Sequence, residues 1–172
     1  IPEDIYPPRK GKPTYSSTRE KWLADKDGVP IMQSKFSMRT VSSNGGVHGN
    51  SLHDWVRQYQ EAVTGLDEGV GRLIESLKES GQYENTLIIF TSDQGLAWGQ
   101  HGFNHKLAPY DANLKSPMIV SMAGKIKEGV VCESAVSGPD IVPTIFEYAG
   151  LKLPWQMDGR SLKPLLDNHQ AK

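Results

Sequence analysis

The sequence has little of several things, and each scarcity excludes a class. One cysteine, Cys132, stands among 172 residues. A lone thiol closes no intrachain disulfide, so the chain is not a cystine-stapled scaffold. It sits in Val130-Val131-Cys132-Glu133-Ser134, a strand-like stretch, and a buried, inert thiol is expected there. The Pro and Arg that would accompany a catalytic cysteine just downstream are missing. Charge of one sign is also missing: the net charge is −1 and the pI about 6.6. Nucleic-acid binders carry a basic patch or stripe, whereas Lys and Arg here are scattered, so no nucleic-acid partner is expected. No run of eighteen apolar residues occurs, which excludes a membrane-spanning helix within this sequence and gives no reason to expect a membrane partner. No basic-then-apolar leader opens the chain, and the first residue is Ile1. We read the chain as cut from something longer, so the lack of a leader does not fix the compartment.

What is present falls into two parts. Residues 1–50 read as an irregular segment that packs on a body outside this sequence. Pro2, Pro7, Pro8 and Pro13 break regular structure early, residues 10–12 and the Ser-Ser-Asn-Gly-Gly run at 42–46 read as loop, and a short helix fits 18–24. Residues 51–172 carry the regular patterns. Leu52, Trp55, Val56, Tyr59, Ala62, Val63, Leu66, Val70, Leu73, Ile74 and Leu77 recur at spacings of three and four, which predicts helix from about 51 to 80. Asn50 or Ser51 can cap its start and Gly81 can stop it. Gly65, Gly69 and Gly71 leave open one bent helix or two successive ones.

The run Thr86-Leu87-Ile88-Ile89-Phe90-Thr91 is continuously apolar, as in a strand buried on both faces of a parallel sheet. Further strands are expected at 118–122 and 130–136, and a helix at 139–148 that stops at Gly150. Helices alternating with buried strands imply an α/β layered fold.

In open α/β sheets ligands bind beyond the carboxyl ends of strands, and Asp93-Gln94 lies at such an end. A carboxylate beside an amide carbonyl offers hard oxygen ligands, suited to Ca²⁺ or Mg²⁺. Gly95 lets the backbone turn away. An Asp in that place also serves as a turn or helix cap. A zinc set of Asp93, His101 and His105 is disfavoured, because Gly95, Gly99 and Gly102 spoil the helix that the histidine spacing would need.

The ordered motifs add a family resemblance over residues 59–166. They are Leu66-Asp67-Glu68-Gly69-Val70-Gly71, Ser92-Asp93-Gln94-Gly95, Gly99-Gln100-His101-Gly102, Lys106, Tyr110-Asp111 and Lys115-Ser116-Pro117. The segments Asp140-Ile141-Val142-Pro143-Thr144 and Asp158-Gly159-Arg160-Ser161-Leu162 follow. Together they resemble the C-terminal part of the catalytic domain of type I sulfatases, in the alkaline-phosphatase-like superfamily.

The resemblance implies an α/β sandwich of a mainly parallel sheet with flanking helices, incomplete in this chain. It implies that residues 51–172 are the C-terminal part of the catalytic domain and that the whole enzyme hydrolyses sulfate esters. Asp93 and Gln94 match two metal ligands, with Ca²⁺ as the ion and Mg²⁺ as the alternative. Lys106, thirteen positions after Asp93, matches a lysine that contacts the sulfate, with a catalytic share in the reaction. The three are expected to face one cleft. His101 and His105 are candidate substrate contacts, although the histidine of Gly-x-His-Gly looks structural in the family and holds the loop. Asp140 reads as a helix N-cap and Arg160 as a structural partner.

The family's nucleophile, a formylglycine matured from Cys/Ser-x-Pro-x-Arg, has no counterpart here, and neither does its N-terminal pair of metal aspartates. The expected substrate is a sulfated small molecule or carbohydrate, and the expected compartment is periplasmic, extracellular or lysosomal. A phosphatase or phosphonate hydrolase of the same superfamily, or a non-catalytic binding domain, are the alternatives. The 172 residues alone are expected to be inactive.

Overall fold

The computed structural model describes residues 1–6, 11, 21–33, 51–106 and 108–168. In chain order its strands and helices are β1 (Lys21–Ala24), β2 (Pro30–Gln33), α1 (Leu52–Glu79), β3 (Ile88–Thr91), β4 (Ala97–Trp98), β5 (Asn104–His105), α2 (Asp111–Leu114), β6 (Met118–Ser121), α3 (Ile141–Tyr148) and α4 (Lys163–Asp167). They divide between two compact units, residues 1–71 with 94–117 and residues 72–93 with 118–172.

Helix α1 is one helix, not two: its three glycines stay within it. The Ser51 hydroxyl accepts the Asp54 N–H at 3.1 Å and donates to the Asp54 carboxylate at 2.6 Å. That satisfies an otherwise orphaned donor of the first turn and sets the start. At the far end Gly81 takes φ 69°. Its N–H reaches the Lys78 carbonyl at 3.0 Å, and the Gln82 N–H reaches that of Leu77 at 2.9 Å. This is the left-handed stop that favours glycine, because no Cβ meets the carbonyl.

In the first unit, the helix expected at 18–24 is instead strand over Lys21–Ala24; residues 18–20 lie outside the described residues, as do 42–46 and Asn50. β1 pairs antiparallel with β2, Lys21 opposite Gln33 and Ala24 opposite Pro30. Asp25 makes the turn: its carboxylate accepts the N–H groups of Asp27 at 2.9 Å and Val29 at 2.8 Å. A short polar side chain that bonds to the backbone just ahead favours turn over helix. The hairpin delivers Trp22 into a core with Ile5, Leu52 and Trp55, all buried. Trp22 and Trp55 meet edge to face at 6.1 Å, Trp55 and Trp98 at 6.4 Å. Such contacts add about 0.5–1.5 kcal/mol each beyond the area they bury. Further along α1 the apolar stripe lies open, with Tyr59 47% and Leu66 52% exposed.

In the second unit, β3 pairs with β6. The ladder is antiparallel, Ile88 opposite Ser121 and Thr91 opposite Met118. The apolar run that read as a strand buried on both faces of a parallel sheet is half-buried, and among the described residues it has one neighbour, running the other way. Parallel strands need a crossover, usually a helix; between β3 and β6 the only α-helix among the described residues is the four-residue α2. Residues 130–136 form no strand, and Cys132 is exposed rather than buried. Their β-branched residues find no ladder to join among the described residues.

Helix α3 stops at Gly150 as expected, but the Asp140 side chain does not cap it: Ser137 is the capping residue, of a 3-10 turn over Gly138–Asp140 that runs into α3. The Asp140 carboxylate accepts the Ser137 N–H at 2.7 Å and the Arg160 N–H at 2.8 Å. Gly150, at φ 68°, donates to the Glu147 carbonyl at 3.1 Å and Leu151 to that of Phe146 at 2.9 Å. Fully buried Thr144 joins the helix to the tail: its hydroxyl donates to the Asp140 carbonyl at 2.7 Å and accepts the Leu162 N–H at 2.8 Å.

Candidate functional site

Asp93 stands two residues beyond the end of β3, in the second unit, and its side chain is exposed. The Ser92 hydroxyl lies 3.2 Å from its carboxylate. Gln94, half-buried, opens the segment 94–117 of the first unit. The two residues are adjacent in the chain.

Gly95 fixes where Gln94 is held, for a reason different from the one its sequence suggests. Its φ is not left-handed. Rather, its N–H donates to the Asn113 carbonyl at 2.8 Å, and a Cβ there would run into the carbonyl oxygens of Ala112 and Lys115. The backbone of α2 approaches so closely that only glycine fits. α2 is itself anchored by buried Asn113, whose Nδ2 donates to the Ala108 carbonyl at 2.8 Å. On its outer side the Lys115 ammonium lies 2.8 Å from the Asp111 carboxylate. That hydrogen bond and its charge lower the Asp111 pKa and raise that of Lys115.

β4 and β5 form a short antiparallel hairpin, Ala97 opposite His105 and Trp98 opposite Asn104. Residues 99–103 close it. Gly99 and Gly102 take φ 92° and 73°, and His101 takes φ 55°. Among the described residues His101 is the one non-glycine in this region, at a cost of roughly 1–2 kcal/mol for an L-residue. Two contacts hold it there. The Asp4 carboxylate accepts the His101 backbone N–H at 2.9 Å and, with its other oxygen, pairs with His101 Nδ1. The Tyr110 ring packs on the imidazole with centroids 4.1 Å apart. Burial pushes the Asp4 carboxyl up, but the backbone and side-chain hydrogen bonds of His101 and its charge outweigh that and hold it below the ordinary carboxylate value. Ile5, beside Asp4, is fully buried and packs where a Cβ on Gly99 would stand.

Lys106 follows β5 directly and is exposed, in the first unit. His105 is the last residue of β5. Five candidates therefore fall into three groups: Asp93-Gln94 adjacent in the chain, His101 bound to Asp4 and Tyr110, and His105-Lys106 at the end of the hairpin. Asp4 was not foreseen. It lies 97 positions from His101, a separation at which no motif spacing applies.

The donors present fit a hard cation as part of a shell. Asp93 and Gln94 offer oxygen only, and Ca²⁺ takes 6–8 oxygen ligands. Among the described residues no group of three or more His, Cys, Asp or Glu could hold a metal by itself.

With this geometry in view, similarity to known proteins gives the class. The family model described as Sulfatase matches residues 5–151. An N-acetylglucosamine-6-O-sulfatase of Bacteroides thetaiotaomicron is 35% identical over 159 residues, which cover 89% of this chain and 27% of that protein. A solved structure of a protein in complex with its substrate D-glucosamine-2-N,6-O-disulfate superposes with a TM-score of 0.65 at 35% identity, over 69% of this chain and 24% of that one. A phosphonate monoester hydrolase from Silicibacter pomeroyi superposes with a TM-score of 0.55 at 40% identity, over 59% and 20%. Other relatives include extracellular sulfatase homologues of Drosophila melanogaster and Caenorhabditis elegans.

The chain belongs to the sulfatase family. Its fold is the α/β, alkaline-phosphatase-like class expected from the sequence. Sulfatases generally use a metal and a formylglycine. The chain spans about a quarter of the length of the curated relatives it matches (27% and 24% of two of them).

Proposed function

We propose that the intact protein carrying this chain hydrolyses sulfate esters, and that Asp93, Gln94 and Lys106 are the chain's share of the site. The observation that carries the reading is the ordered donor set after β3, Ser92-Asp93-Gln94-Gly95 and then Lys106, inside the span the sulfatase family model matches. Asp93 brings a negative charge and Gln94 a neutral carbonyl to a Ca²⁺ ion, with Mg²⁺ the alternative. The bound cation supplies Lewis-acid neutralisation of charge on the ester's oxygens. The Lys106 ammonium pairs with a sulfate oxygen and with the charge that develops on the leaving oxygen. The nucleophile would be a formylglycine supplied by residues of the intact protein outside this sequence, because no Cys/Ser-x-Pro-x-Arg occurs in it. His101, bound to Asp4 and Tyr110, takes the loop-holding role, and His105 is left as the candidate for a second substrate contact.

The substrate is a sulfated small molecule or carbohydrate, in keeping with the sulfated glucosamine bound by the structural neighbour. A periplasmic, extracellular or lysosomal setting accords with the relatives named as extracellular. The phosphonate hydrolase neighbour favours a second reading, hydrolysis of a phosphonate or phosphate monoester. The test is the intact protein with Ca²⁺ against an aryl sulfate, an aryl phosphate and a phosphonate monoester. The highest kcat/KM falls on the sulfate. A highest value on either phosphorus ester installs the second reading, and no turnover of any leaves a binding domain.

A further inference from the structure

We infer that Asp4 is a positioning residue for the sulfate-binding hairpin: it locks His101 in its left-handed conformation and so sets where the chain leaves β5 at Lys106. The inference rests on the role proposed for Lys106.

Three observations converge on Asp4. The turn it grips is conformationally costly. Of residues 99–103, Gly99, His101 and Gly102 have positive φ; glycine visits that region freely, and histidine does not. A turn with such a residue at its centre would relax unless something external over-determined it. Asp4 is such an external group, beside the Tyr110 ring packed on the imidazole. It takes the His101 N–H with one carboxylate oxygen and the imidazole with the other, so backbone and side chain are gripped together by charge-assisted bonds. The grip is also anchored. The next residue, Ile5, is fully buried in the core of Trp22, Leu52 and Trp55 and occupies the space that a Cβ on Gly99 would need. Asp4 therefore holds the turn from a fixed point.

The path from the turn to Lys106 is short and rigid. The Gly99 N–H donates to the Phe103 carbonyl at 2.9 Å, and the Phe103 N–H to the Gln100 carbonyl at 3.0 Å. Trp98 then faces Asn104 and Ala97 faces His105 across the two-residue ladder. Lys106 is the next residue. A shift at His101 passes through this ladder before it reaches the lysine.

The test uses the intact protein and the variants Asp4→Ala, Asp4→Asn, His101→Gly, Asp4→Ala/His101→Gly and Lys106→Ala, assayed with an aryl sulfate across a Ca²⁺ titration, below the melting temperature of the weakest variant. Asp4→Ala should raise KM about ten- to hundredfold, the loss of charge-assisted hydrogen bonds, with its Ca²⁺ requirement unchanged. Asp4→Asn keeps a carbonyl acceptor for the His101 N–H and should fall between Asp4→Ala and the parent. In the double variant glycine adopts the left-handed conformation unaided, so removing Asp4 should change KM no more than about threefold relative to His101→Gly alone. Hydrogen exchange at 99–106 should quicken in Asp4→Ala and slow again in the double variant.

A merely structural Asp4 would lower the melting temperature and the active fraction without touching KM, and would overturn the proposal. Unchanged exchange in Asp4→Ala, or an Asp4 effect as large with glycine at 101 as with histidine, would overturn it too. If Lys106→Ala leaves KM and kcat unchanged, the assignment of Lys106 falls instead, and exchange across 99–106 alone decides whether Asp4 sets the turn.

Discussion

One carboxylate oxygen of Asp140 accepts the backbone N–H of Arg160 at 2.8 Å, 20 positions further along the chain. The other takes the N–H and the hydroxyl of Ser137, at 2.7 and 3.0 Å. Asp140 thus closes the capping box of the short 3-10 turn over Gly138–Asp140 that leads into α3, and ties the tail to that turn. The tie is close: a Cβ on Gly159 would run into the Pro139 carbonyl.

This arrangement predicts an acid-sensitive second unit. Burial raises the Asp140 pKa, but the hydrogen bonds from Arg160 and Ser137 and the Arg160 charge together lower it below 3.8. A carboxyl depressed in the folded state contributes stability that is present above its unfolded pKa and lost as pH falls through the folded one. Urea unfolding of the intact protein followed from pH 7 down to about pH 3 should therefore show stability falling below roughly pH 4, near the unfolded value for Asp. Asp140→Ala should cost about 1 kcal/mol at neutral pH and flatten the acid limb. An acid limb as steep in the variant as in the parent would contradict the assignment.

Gly95→Ala should be among the most damaging single-methyl changes in the chain. The added carbon meets backbone, which no rotamer change relieves, and overpacking typically costs about 1–3 kcal/mol. Gly81→Ala is the comparison. It meets only the left-handed φ, with open space around it, and should cost about 1 kcal/mol. Melting curves of the two variants give the ranking. Gly95→Ala should in addition weaken metal binding, because the displaced turn carries Gln94; calorimetry with Ca²⁺ checks this.

Asp93→Asn and Lys106→Ala should part under a calcium titration of the intact protein. The first removes charge from the metal site, so excess Ca²⁺ should restore part of the activity. The second removes a partner of the sulfate, which no added metal replaces. Its kcat/KM should stay down by about 10²–10³-fold at every Ca²⁺ concentration, and kcat should fall with it if the lysine acts mainly on the transition state. Calcium rescue of Lys106→Ala would show that Lys106 does not touch the sulfate.

The 172 residues alone should turn over no aryl sulfate, with or without Ca²⁺. They hold no activated nucleophile, and general acid–base help by itself is worth only about 10²–10⁴-fold. Turnover at an enzyme-like rate by the purified chain would refute this.

Local features were legible in the sequence. The three-and-four spacing of α1, its Ser51 cap and the Gly81 and Gly150 stops depend on residues within a turn of one another, and the structure has them where the pattern put them. The position of Asp93-Gln94, just past the end of a strand, was legible in the apolar run before it. What escaped the sequence depends on partners far along the chain. The 86–91 run looks alike whether its neighbour is parallel or antiparallel, and β6 decided it. Residues 130–136 have the composition of a strand but no ladder to join among the described residues. Lys21–Ala24 is extended because Asp25 starts a turn that returns it to β2. Gly95 reads as a flexible joint, yet the α2 carbonyls packed against it are what require glycine. The Asp4–His101 contact joins the two ends of one unit.

The tryptophans make the two units separately visible by light. Trp22, Trp55 and Trp98 form a chain of neighbouring rings, 6.1 and 6.4 Å from one to the next, in the first unit; Trp155, 65% exposed, belongs to the second. Indoles that close share their excitation, so the first three emit as one shielded, blue-shifted chromophore of low anisotropy. Trp155 emits alone, to the red, and within reach of a dissolved quencher such as iodide. The difference between quenched and unquenched spectra therefore isolates the second unit, and the emission that quencher leaves behind belongs to the unit that carries Gln94 and Lys106.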